Sequence, residues 1–141
     1  MVTYVINREF IDTDVLIEQK EGTDIPTIIN NKGEGYFRAL EKEVIKEIAT
    51  LTGKVISTGG GVVVNKENHF YLCANGIIFL LNRDLEKLAT NGRPLSSDLD
   101  ALKKRYEERR DKYLDFADFE IDNNGDIEKA VKGVLERLWK F

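Results

Sequence analysis

The chain has 141 residues, of which 42% are hydrophobic and 33% charged, a composition that suits one globular domain spanning residues 1–141 with a core of ordinary size. A formal net charge of −4 argues against a nucleic-acid partner, and no apolar run reaches the length of a membrane span. Cys73 and His69 are each the only residue of their kind, which leaves no disulfide framework and no His/Cys metal cluster. Together with a start, "MVTYVINREF", that lacks a signal-peptide apolar stretch, these features lead to the expectation of a cytoplasmic protein.

In chain order, Val2–Ile6 and "REFIDTDV" have strand composition. A short helix is predicted from about Asp14 and closed by Gly22, and a second has Pro26 in its first turn. Phe37, Leu40, Val44, Ile48 and Leu51 recur at helical spacing and predict a long amphipathic helix ended by Gly53. "KVIST" reads as a buried strand running into Gly59, Gly60 and Gly61, and "NKENHFYLCANG" as a helix. "IIFLLN" is an apolar strand, "RDLEKLATNG" a helix running into the loop "GRPLSSD", and "LDALKKRYEERRDKYLDFA" a long charged helix. "DFEIDNNG" supplies a last strand and turn, and "DIEKAVKGVLERLWKF" a terminal amphipathic helix.

Apolar strands alternating with helices predict a mostly parallel sheet covered on both faces, a three-layer α/β/α class, because each parallel connection needs a crossover. Ligands of such sheets bind beyond the carboxyl ends of the strands. That rule gathers Asp12, Asp14 and the glycine triplet. If the strand runs on through "FIDTD", Asp12 and Asp14 share one face, suited to Mg²⁺ or its waters, or to a general base. Equally, Asp14 caps the next helix and Asp12 is a solvated strand end. Arg38 stands in the first turn of a helix, where a cation opposes the dipole. Arg93, ahead of Pro94, suits a lid over a phosphate, and Arg109 lies in the charged helix. The glycine triplet is either a tight turn or a place of close approach.

Five motifs in order, "FIDTD", "GEGYFR", "STGGG", "GRPL" and "RRDKYLDFAD", resemble those of the shikimate kinases, a branch of the nucleoside-monophosphate-kinase-like P-loop group, from about Arg8 to the C-terminus. The resemblance implies ATP- and Mg²⁺-dependent phosphorylation of the shikimate 3-hydroxyl in aromatic amino-acid (chorismate) biosynthesis. It implies that Arg38 and Arg109 hold the shikimate carboxylate, that Asp14 holds ring hydroxyls and acts as base, and that Gly59, Gly60 and Gly61 admit the substrate ring. Asp12 then sits near magnesium, through water, and Arg93 reaches the transferred phosphate from a lid at about residues 90–100, with the substrate region at about 12–61. Lys87 stands where the family commonly has an arginine ahead of its lid motif. The 141 residues contain no G-x-x-x-x-G-K-[ST] loop. Only eleven residues precede Asp12, against roughly thirty for a strand-loop-helix unit. The family's central strand is therefore expected to be missing, replaced by Val2–Ile6, or supplied by a partner chain or dimer. A non-catalytic shikimate-binding protein is the alternative expectation.

Overall fold

The computed structural model describes residues 7–84 and 95–139. The chain forms two compact units, Met1–Ile77 and Ile78–Phe141. In the first, strand β1 (Glu9–Asp12) is followed by helices α1 (Thr13–Glu21), α2 (Ile25–Lys32) and α3 (Glu34–Ile48), strand β2 (Lys54–Ser57), a 3-10 turn (Gly60–Val64) and helix α4 (Lys66–Ala74). The two strands pair in parallel, from Glu9 opposite Lys54 to Asp12 opposite Ser57. Their carboxyl ends therefore lie level, which brings the start of α1 beside the glycine triplet.

Local chemistry explains where the elements stop. Asp12 ends β1 because its Oδ1 accepts the amides of Asp14 (2.9 Å) and Val15 (3.4 Å), two donors that the first turn of α1 cannot satisfy internally. This corrects the expectation that the strand continues through Asp14. Asp12 is the cap, and Asp14 is a first-turn helical residue. Gly22 closes α1 in the left-handed conformation (φ 73°), and α2 starts at a cap by Asp24 with Pro26 in its first turn. Helix α3 ends at Ile48, short of the expected Gly53. The Thr50 hydroxyl donates to the Glu47 carbonyl at 2.8 Å, Leu51 is exposed, and Gly53 (φ 67°) serves the turn into β2. Strand β2 itself is half-buried rather than buried.

The core of this unit joins Ile17 of α1, Ile28 of α2, and Phe37 and Val44 of α3, flanked by Leu16, Ile25 and Leu40. Each such side chain contributes about 1.5–3 kcal/mol on burial. In the second unit, β3 (Phe79–Asn82) pairs in parallel with β4 (Phe119–Asp122), with helix α5 (Leu95–Phe116) in the crossover. Phe79 and Phe119 stack with ring centroids 5.7 Å apart. Helix α6 (Ile127–Leu138) buries Ala130 and Val134, and a Cβ on Gly133 would meet Ile121 of β4 at 3.5 Å. The helices expected before β4 and at the C-terminus are thus present. Val2–Ile6 and most of "RDLEKLATNG" lie outside the described residues, and so does Arg93.

Candidate functional site

The level ends of β1 and β2 set three groups against one another. Asp14, on the first turn of α1, is half-buried. Desolvation, followed by repulsion from Asp12 and Glu18, pushes its carboxyl above the ordinary 3.8, and the nearby Arg38 cation opposes that rise. A Cβ added to Gly59 would stand 3.1 and 3.2 Å from the two Asp14 carboxylate oxygens. At Gly61 the approach is closer still. A Cβ there would fall on the Arg38 guanidinium, 2.6 Å from Cζ. The triplet is therefore a place of close approach as well as a turn: a Cβ would crowd Asp14 at Gly59 and would require the Arg38 guanidinium to shift at Gly61. Gly60 is exposed and opens the 3-10 turn, an element that sequence patterning did not predict.

Arg38 is held from within its own helix. Its Nη1 donates to Glu41 Oε1 at 3.0 Å and its Nη2 to Glu34 Oε1 at 3.4 Å, while the guanidinium lies 5.0 Å from the Phe37 ring centroid. The two acidic partners differ greatly. The Glu41 side chain is 2% exposed and that of Glu34 is 63% exposed, so Glu41 is the anchor and Glu34 a solvated contact. Buried Nε of Arg38 has no protein partner among the described residues. The first-turn cation that opposed the helix dipole thus has its reason in a buried carboxylate one turn on. Sequence patterning did not single out Glu41, although a signal was there in a glutamate on the apolar stripe between Phe37 and Val44.

The remaining expected residues divide. Asp12 is committed through Oδ1 to capping α1. Among the described residues no group of three or more His, Cys, Asp or Glu could hold a metal ion. Arg109 is half-buried on α5 in the second unit. Arg93 and Lys87 lie outside the described residues. No helix among the described residues is long and apolar enough to cross a membrane.

Comparison with known proteins gives this geometry its context. The family model described as "Shikimate kinase" matches residues 1–139. The "Shikimate kinase" of Caldanaerobacter subterraneus subsp. tengcongensis is 37% identical over 99% of this chain and 86% of its own length. The "Bifunctional shikimate kinase/3-dehydroquinate synthase" of Thermotoga maritima is 34% identical over 97% of this chain, which spans 29% of that longer protein. The structure "Shikimate kinase from Acinetobacter baumannii in complex with shikimate" matches with a TM-score of 0.89 at 26% identity, covering 99% of this chain and 83% of that one. The α/β fold class read from the alternating pattern agrees with this likeness, and the chain belongs to the shikimate kinase family.

Proposed function

We propose that this chain binds shikimate and serves the ATP-dependent phosphorylation of its 3-hydroxyl, a step of aromatic amino-acid biosynthesis. One observation carries the reading: Asp14, Arg38, Gly59 and Gly61 converge beyond the carboxyl ends of two parallel strands. Arg38, locked by Glu41, is the partner for the substrate carboxylate. Asp14 is the partner for ring hydroxyls. Its raised carboxyl makes it a better proton acceptor than an ordinary aspartate, which suits removal of the hydroxyl proton as the bond to phosphorus forms. On the motif match alone, Arg109 is a second cation for the carboxylate and Arg93 a lid cation for the transferred phosphate. Gly60 contributes backbone only.

The residues fit the nucleotide end less well. Asp12 retains one carboxylate oxygen beyond its capping bonds, which fits a water-mediated place beside Mg²⁺ and no more. No GK[ST] loop occurs in the 141 residues to cradle a β-phosphate, so no step is assigned to ATP at these residues.

Titration calorimetry with shikimate tests the reading. Wild type is expected to bind, and Arg38→Ala to lose about 1.5–3 kcal/mol, the worth of a charge-assisted hydrogen bond. Absence of heat with wild type, or equal binding by the variant, would overturn it.

A further inference from the structure

Asn68, on α4, is fully buried (0% exposed) although it is an amide. Its Nδ2 donates to the Val62 carbonyl at 2.9 Å, whereas its Oδ1 has no protein partner among the described residues. An apolar side chain of the same size would fill the space without burying an unsatisfied Oδ1, so space-filling does not account for the amide. The donor does.

Val62 lies within the 3-10 turn Gly60–Val64, and short helical turns leave their carbonyls without partners inside the turn. The Val62 amide donates back to Gly59 at 3.2 Å, closing the turn over the triplet from one side, and Asn68 takes the Val62 carbonyl from the other. The same turn holds Gly59 against Asp14 and Gly61 against Arg38. Helix α4 is itself fixed close by, because Asn65 Oδ1 caps it at the Glu67 amide and Lys42 of α3 pairs with Glu67 at 3.1 Å.

We propose that Asn68 is a positioning residue for the substrate pocket. Its side-chain N–H sets the glycine turn, and through the turn it sets the seats of Asp14 and Arg38. The inference rests on the shikimate reading above for its functional consequence, but its structural content stands apart from it.

The test uses the full 141-residue chain and Asn68→Leu, which keeps the bulk and removes the donor. Amide hydrogen exchange is followed at residues 60–64 and, as a control, along α3. Exchange of the turn amides is expected to quicken about tenfold, in line with loss of a buried hydrogen bond, and clearly more than that of the α3 amides. Shikimate affinity is expected to fall about five- to tenfold in parallel. Unchanged turn exchange, equal quickening in α3, or a loosened turn with undiminished affinity would each overturn the proposal. If Asn68→Leu does not fold, Asn68→Ala, which removes the donor without adding bulk or charge, takes its place in the same comparison. A wild type that binds no shikimate would strike the functional reading, and the exchange data would then decide this one by themselves.

Discussion

Replacing Gly61 by alanine adds one methyl group at the point where the glycine turn meets Arg38. The backbone offers no objection, since Gly61 is not among the residues with positive φ, and alanine's smaller unfolded-state entropy favours folding by about 0.4–1 kcal/mol. The contact opposes it, because the new Cβ would stand 2.6 Å from Cζ of Arg38, inside any real van der Waals separation. The turn cannot swing out easily, as Gly61, Val62 and Val63 are buried. Arg38 must therefore move, and its 3.0 Å bond to Glu41 goes with it. Breaking a fully buried ion pair costs about 3–5 kcal/mol. Here the Arg38 side chain is 20% exposed and Glu34 shares its charge, so a cost on the order of 2 kcal/mol is appropriate, leaving a net loss of about 1–2 kcal/mol. Native-state hydrogen exchange at the α3 amides measures this in the first unit alone, with shikimate titration alongside. Gly35→Ala, with nothing within 4 Å of the added carbon, is the control and is expected to gain up to about 1 kcal/mol. A Gly61→Ala variant as stable as wild type, binding shikimate equally, would show that the guanidinium does not depend on that seat.

Glu41→Gln, which keeps shape but removes the buried charge, should weaken shikimate binding about tenfold, whereas Glu34→Gln at an exposed position should change it less than about twofold. Calorimetry on the pair decides whether burial ranks the two glutamates. For Asp14 the sign comes from a raised carboxyl: its stabilising contribution is complete below the ordinary 3.8 and is lost as pH rises through the higher folded-state value. Asp14→Asn should therefore be more stable than wild type at about pH 7, with the difference shrinking towards about pH 4, and should lose shikimate affinity. A constant difference in urea midpoints across that range would refute the electrostatic account.

Much of the architecture was legible in the sequence because it depends on neighbours along the chain. Helical spacing marked α3, Gly22 and Pro26 marked the limits of α1 and α2, and unbroken apolar runs between helices marked parallel strands. Asp12, Asp14 and the glycines could be gathered from sequence because parallel strands deliver the loops at their carboxyl ends to the same edge of the sheet, whereas Arg38 joined them only through the motif resemblance. Other features depended on contacts between distant residues. Whether "FIDTD" continues as strand or turns into helix was decided by Asp12, whose carboxylate serves α1 in a structure that also pairs Asp12 with Ser57. Helix α3 stopped before Gly53 because periodicity cannot tell a residue that packs from one, such as Leu51, that merely keeps the spacing. A charge on an apolar stripe and an amide in a short helix look alike in sequence whether buried or solvated. Only the packing of α3 and α4 made Glu41 the anchor of Arg38 and Asn68 the support of the glycine turn. The same packing sets how little room there is at Gly59 and Gly61, since a Cβ there would crowd the Asp14 carboxylate and the Arg38 guanidinium, side chains that are distant along the chain.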